Sequence, residues 1–452
     1  MGLGYGLLGA AALRDATSRS TADVTFDEDA LRRVAELGVP RVPRTAPVSI
    51  DADHLAAHRN RAESLLSAAP AAPGIPNEAV AREYADRYET AVEALSEADT
   101  ASTPAERLDA LRSALWFAAD VSAVYAAFQD ELTREAVLAR RGPIREELAG
   151  LRDDYRYVGD DPAVAVVVHA EVESEMDYAD GMLAQAAEHH GDDGSRVLQV
   201  GSAAGSVELA RTAVADATYL YDRFVDGLDD GRMLREAFER TASALVSDIT
   251  GRCPDPPDAS TWDARTDEWE SRFGRDLTHT VARSLLDDAF SAARWGCQDR
   301  VIESREREGV ASAVLAAGEA DRDLRALDRV RTAVDRGAYG VPTSAGTVRN
   351  EKLAALEAIE AIEAPRSVTP TTLAARWTGT ATREIRYGDR ELGRLVERDT
   401  LDVDDVTRIV ASYAWGRVRA EATPAALTRL TGVLDAAATS RRSARDPDGG
   451  HP

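Results

Sequence analysis

Between Arg196 and Leu228 apolar residues recur in steps of three and four, through Val200, Ala204, Val207, Ala210, Val214, Ala217, Tyr221 and Phe224. No other feature constrains the fold as tightly. Such steps draw one stripe along a helix of 3.6 residues per turn and would scatter over both faces of a strand. The spacing returns at Leu108, Leu111, Leu115, Ala118, Val121, Tyr125, Phe128 and Leu132. It returns again at Val80, Tyr84, Tyr88, Ala91 and Leu95, and at Val164, Val168, Val172, Met176, Ala179 and Leu183. Thr103-Pro104-Ala105-Glu106 predicts a helix start, with a capping Thr, Pro at the first helical position and a Glu reaching back. Thr369-Pro370 and Thr423-Pro424 predict further starts by the same logic, and residues 51–68 read as one short helix.

Strands have little room. The stretch Val39–Ser49 carries Pro40, Pro43 and Pro47, which a central strand does not tolerate, and Val166-Val167-Val168 lies inside a helical stripe. The expected fold class is all-α, an irregular bundle of helical hairpins with a smaller helical C-terminal unit. Loop composition at 191–194, 254–260, 337–346 and 365–370 suggests the divisions. Residues 1–76 form a Pro/Gly/Ala-rich N-terminal segment, 77–340 a central helical bundle, 346–439 a C-terminal helical unit and 440–452 a disordered tail. No fixed-period repeat is present.

Composition narrows the function classes. The 452 residues hold 79 Asp and Glu against 54 Lys and Arg, a net charge of −25. Nucleic-acid affinity comes from basic side chains that neutralise phosphates, so no nucleic-acid partner is expected. Lys352 is the only lysine. An acidic, Arg-rich, Lys-poor chain resembles the cytosolic proteins of halophilic archaea, where salt screens carboxylate repulsion; an acidic protein of a GC-rich bacterium would read the same way. Cys253 and Cys297 lie far apart with no CxxC pair, and are expected as separate buried thiols in a reducing cytosol. Met1–Leu13 is apolar, yet no basic residue precedes it and no apolar window reaches the ~20 residues a spanning helix needs. A cytoplasmic chain with no membrane partner is the expectation. Trp116, Trp262, Trp269, Trp295, Trp377 and Trp415 are dispersed and expected mainly to pack the core.

Two stretches have the glycine spacing of cofactor turns. Val197-Leu198-Gln199-Val200-Gly201-Ser202-Ala203-Ala204-Gly205 resembles the first motif of Rossmann-type S-adenosylmethionine methyltransferases. That resemblance implies a strand entering a Gly-rich turn at Gly201 and Gly205, with Asp222 accepting the ribose hydroxyls. It departs from the family pattern at Gln199 and Ala203. The helical stripe through the same residues predicts the opposite, a helix whose Gly201 and Gly205 admit a close neighbour. Gly4, Gly6 and Gly9 also fit GxGxxG, with Asp27, Glu28 and Asp29 beyond, but three preceding residues leave no room for the strand such a turn needs.

His54 and His58, four apart on the short helix and close to Asp51 and Asp53, put two imidazoles on one side as a candidate metal pair. The competing expectation is packing, because His58 falls in the stripe of Leu55, Ala62 and Leu65. His169, Glu173, Asp177 and Asp180 share one flank of a helix, with Glu171 and Glu175 on the other, and could supply half of a bundle metal site. No Glu-x-x-His pair supports it, and a solvated acidic face reads equally well. The run from Glu188 through His189 and His190 to Asp193 reads as a helix end. With no complete catalytic set, the expectation is a non-catalytic protein-interaction or scaffold module with a protein partner and no cofactor. The alternatives are the methyltransferase through Gly201, Gly205 and Asp222, or a helical metalloprotein through His54 and His58 or His169, Glu173 and Asp177.

Overall fold

The computed structural model describes residues 26–40, 44–188, 195–254, 262–297, 309–363, 372–398 and 401–444. The fold is all-α. In chain order the helices begin with α1 (Glu28–Ala35), α2 (Ala52–Ser67), α3 (Glu78–Thr100), α4 (Pro104–Phe128), α5 (Arg134–Ala139) and α6 (Arg141–Asp154). Next come α7 (Pro162–Ala187), α8 (Arg196–Val225), α9 (Arg235–Thr250), α10 (Trp262–Phe273) and α11 (Val281–Trp295). The last are α12 (Val310–Asp335), α13 (Ala345–Glu363), α14 (Thr372–Leu395) and α15 (Val403–Ala444). Among the described residues strand is confined to one antiparallel pair of two-residue segments, β1 (Val158–Gly159) and β2 (Arg232–Met233). No described helix is long and apolar enough to cross a membrane.

The chain divides into two compact units, one of residues 43–236 with 309–312, the other of 1–42, 237–308 and 313–452. The division falls near residue 236, inside the 77–340 stretch read from the sequence as one body. Periodicity marks helices but not which of them share a core.

In the 43–236 unit α8 lies along α7 and α4, α3 and α2 pack on α4, and α5 and α6 on α8. Tyr84, Ala91, Ala94, Leu115, Ala118, Val121 and Val124 form one buried cluster. The start of α4 is capped as its sequence predicts, the Thr103 hydroxyl accepting from Glu106 N at 3.1 Å. Glu106 reaches one residue further back, to the amide and hydroxyl of Ser102 at 3.1 and 2.6 Å. Such a cap contributes about 1 kcal/mol. Residues 196–225 are one unbroken helix, so the strand and turn of the methyltransferase resemblance are not formed there. Instead α4 comes close. A Cβ on Gly201 would stand 2.9 Å from the Asp120 carbonyl oxygen, and one on Gly205 3.0 Å from that of Trp116.

In the other unit α15 packs against α14, α13 and α11, and α1 against α13 and α14. The α1 helix lies in the N-terminal segment where the sequence suggested only the 51–68 helix; Asp27 caps it, accepting from Ala30 N at 2.9 Å. The sole lysine, Lys352, is fully buried and donates to the carbonyls of Val34 (2.8 Å) and Ala35 (3.3 Å) at the end of α1, and to Asp389 (2.8 Å). Trp377, Trp415 and Trp269 are buried, whereas Trp295 is half exposed.

Three expectations are corrected here. Pro424 does not start a helix but lies inside α15, the longest described helix, where Ala420, Thr423, Ala426 and Leu430 are buried on either side. Packing along both halves offsets the amide that Pro lacks. The helix also continues through Ser440–Ala444, the beginning of the expected tail. Cys253 and Cys297 are not separate thiols but a disulfide, neither fully buried, with Cα atoms 6.1 Å apart. The pair closes a separation of 44 residues, which spacing alone cannot show. Thr369-Pro370, the Gly4–Gly9 motif, His189 and His190 lie outside the described residues.

Candidate metal centre

Helix α2 packs its apolar side on α4 and turns a polar edge toward α8. From Asp51, the cap of α2, the edge runs through His54, His58 and Arg61; on α8 it runs Arg223, Tyr219, Asp216, Thr212, Glu208. Steps of three and four on both helices keep these residues on one face each, and the antiparallel courses bring them opposite one another. The Asp51 amide donates to the Tyr219 hydroxyl at 2.8 Å, and Arg223 pairs with Asp51 at 3.3 Å. Arg61 donates to both oxygens of Glu208, at 2.9 and 3.1 Å. Between these pairs sits a histidine–aspartate cluster.

Asp216 is fully buried. Its Oδ1 lies 2.7 Å from His54 Nε2, a hydrogen bond, and 2.9 Å from His58 Nε2, which makes no hydrogen bond. The His54 ring stacks on Tyr219 with centroids 3.9 Å apart. His58 Nδ1 lies 3.0 Å from the His54 carbonyl oxygen. A carbonyl only accepts, so Nδ1 carries the proton and the lone pair of a neutral His58 is on Nε2, facing the carboxylate. The three ligand atoms lie within 4.8 Å of one another, and no other group of three or more His, Cys, Asp or Glu meets that test among the described residues.

Arg112, from α4, approaches the same carboxylate from its other oxygen. Its Nε donates to Asp216 Oδ2 at 2.7 Å and its Nη1 to Glu175 Oε1, on α7, at 2.8 Å. Burial alone would raise the Asp216 carboxyl; the hydrogen bond from His54 and the Arg112 charge outweigh it and hold the group well below the carboxylate range. Glu175 goes the other way. Burial pushes it to about 7, against the opposing pull of Arg112. Its Oε2 is buried without a hydrogen-bond partner. Arg112 and Glu175 line a cleft shared with Arg44, Asp109, Glu171 and Leu220. Its free space of about 20 Å³ suits a water or an ion, not an organic substrate.

The second metal set of the sequence does not come together. His169 is fully buried, with Nδ1 2.6 Å from the Tyr155 hydroxyl and Nε2 2.8 Å from the Val158 carbonyl, and burial lowers its pKa to about 4. Glu173 accepts from the Tyr157 hydroxyl at 2.7 Å and from the amides of Ala311 and Ser312 at 3.0 and 2.6 Å. Asp177 faces outward with Arg152 at 3.9 Å, and the same arginine holds Asp180 at 2.5 Å. Glu171 pairs with Arg44 at 3.1 Å. Of the cofactor residues, Gly201 and Gly205 pack against α4, and the Asp222 carbonyl accepts from Asp226 N at 2.8 Å within the end of α8.

Sequence reasoning found His54 and His58 by their spacing but missed Asp216, Arg112 and the partnership with Glu175. A signal exists. Glu208, Thr212, Asp216, Tyr219 and Arg223 form a second, polar stripe at helical steps beside the apolar one on α8. Only the facing helix says what that stripe meets.

Residues 53–231 match the family model described as Domain of unknown function (DUF8262), and residues 235–432 match that described as Domain of unknown function (DUF8264). The first match contains the whole histidine–aspartate cluster, and the two meet where the structural units divide. No curated protein and no solved structure matches the chain.

Proposed function

We propose that the 43–236 unit is a non-catalytic metal-responsive module that takes up one divalent transition-metal ion at His54, His58 and Asp216. One observation carries the reading: His58 Nε2, buried and without a hydrogen bond, faces Asp216 Oδ1 at 2.9 Å. Two electron-rich atoms at that distance call for a cation or an added proton between them. The tie from His58 Nδ1 to a backbone carbonyl is the kind of outer contact that fixes the tautomer of a metal-binding histidine. Two imidazoles and one carboxylate suit a borderline ion such as Zn²⁺ or Co²⁺ rather than Mg²⁺, which prefers all-oxygen sites. A small shift apart of the three atoms would let an ion replace the hydrogen-bonded contacts.

The ion would lock α2 to α8 across a seam that is otherwise polar. This suits a protein that presents a helical surface to a protein partner, the role expected from the sequence, with metal setting that surface. The net charge of −25 supports a partner other than nucleic acid. The Cys253–Cys297 disulfide removes the support that cysteine spacing lent to a reducing cytoplasm.

Elemental analysis tests the reading. Protein exposed to zinc and dialysed should retain one equivalent, and the His54→Ala/His58→Ala double variant should retain far less. Equal, substoichiometric zinc in both folded proteins would leave the cluster a purely structural ion network.

A further inference from the structure

Arg112 holds an ambiguous position in the cluster. It occupies Asp216 Oδ2 through Nε at 2.7 Å and through Nη2 at 2.6 Å, the latter outside hydrogen-bond geometry. Its remaining nitrogen, Nη1, holds only one oxygen of Glu175, at 2.8 Å. Glu175 Oε2, the other oxygen, is buried and unpaired. The guanidinium therefore spends its best pairing geometry on neither carboxylate, while a vacant acceptor stands beside it. A planar fork bound to both oxygens of one carboxylate is the stronger arrangement.

We infer that Arg112 is the resident cation of the metal-free site and that metal uptake transfers it from Asp216 to Glu175. The inference rests on the metal reading above and adds its regulation. A divalent ion on Asp216 Oδ1 repels a guanidinium on Oδ2 of the same carboxylate. Once Glu175 is ionised, its Oε2 offers the displaced group a second hydrogen bond without leaving the cluster. Arg112 and Glu175 both line the cleft, whose wall also carries Asp109 and Glu171, so the movement has space and an acidic approach beside it. In this arrangement Arg112 sets the affinity of the site by competing with the ion, and Glu175 lowers that competition by receiving it. Arg112 is a positioning residue, not a ligand.

A double-mutant cycle read by zinc calorimetry on the full chain tests the transfer. Arg112→Gln should tighten zinc binding at least tenfold, and Glu175→Gln should weaken it at least threefold. In the Arg112→Gln background, Glu175→Gln should have no further effect, because there is no guanidinium left to receive. Additive effects would mean that the two charges act only through their fields, and weaker binding in Arg112→Gln would mean that the arginine orients Asp216; either overturns the inference. Should Arg112→Gln fail to fold by circular dichroism, Arg112→Lys takes its place, since a single ammonium cannot span both carboxylates. Failure of the underlying metal reading looks different: wild type itself shows no zinc heat at millimolar ligand.

Discussion

His58 Nε2 and Asp216 Oδ1 stand 2.9 Å apart on two helices with no hydrogen bond between them. The contact is buried, and the neighbouring groups explain its sign. Asp216 is the one anion that His54, His58 and Arg112 all share, so it holds α2, α4 and α8 to a common point.

Asp216→Asn should therefore cost stability out of proportion to its size. Removing one partner of a buried ionic group leaves the others uncompensated, at about 3–5 kcal/mol. Urea unfolding should show that loss, whereas a change below ~1 kcal/mol would mean that the cluster does not bind the helices together.

Glycines on α8 and α7 should respond in opposite directions. Alanine is favoured over glycine inside a helix by about 1 kcal/mol. Gly181 on α7 has nothing within 4 Å of an added Cβ, so Gly181→Ala should raise the melting temperature. Gly201→Ala and Gly205→Ala should lower it, because overpacking against Asp120 and Trp116 costs about 1–3 kcal/mol. If all three variants gained stability, α4 and α8 would not approach as closely as described.

Much of this was legible in the chain. The stripe from Val200 to Phe224 specified α8 because apolar burial on one face is a local, periodic constraint, and Thr103-Pro104 marked the start of α4 because a cap is satisfied within four residues. Pro424 misled for the complementary reason: a proline's local cost is visible, while the packing that overrides it comes from distant helices. His54 and His58 were visible as a pair since both lie on one helix. Asp216 and Arg112 were not, being 162 and 58 residues from His54 with nothing local to join them. The Cys253–Cys297 bond escaped on the same ground.

The pH dependence should carry the signature of Glu175. In the fold it keeps its proton up to about pH 7, and in the unfolded chain only to about 4.3. The fold binds the extra proton between those values, so this contribution is full below ~4.3 and is lost as pH rises through 7. It is on the order of 3 kcal/mol. His169 works against it: its pKa of about 4 in the fold, against ~6.5 unfolded, removes stability as pH falls through that window. The wild-type profile sums these with other shifted groups, among them Asp288, which burial also pushes to about 7, and the Glu175→Gln difference isolates one. Unfolding free energies should fall less between pH 5 and 8 in Glu175→Gln than in wild type; parallel profiles would contradict the assignment.

Lys352 should not be replaceable by arginine. Its ammonium reaches two carbonyls and Asp389 in a fully buried site, where three donors on one atom fit and a planar fork does not. Lys352→Met and Lys352→Arg should each cost about 3 kcal/mol. Hydrogen exchange should place the first loss of protection at Leu31 and Val34 in α1. Unchanged protection there would show that α1 is held by its apolar contacts alone.

The most direct test of the metal centre is the visible absorption spectrum of the chain titrated with Co²⁺. A tetrahedral ion on two imidazoles and one carboxylate should give intense d–d bands that saturate at one equivalent, bleach on addition of zinc and disappear in His58→Ala. A spectrum indistinguishable from cobalt in buffer, or one that persists unchanged in folded His58→Ala, would contradict the account.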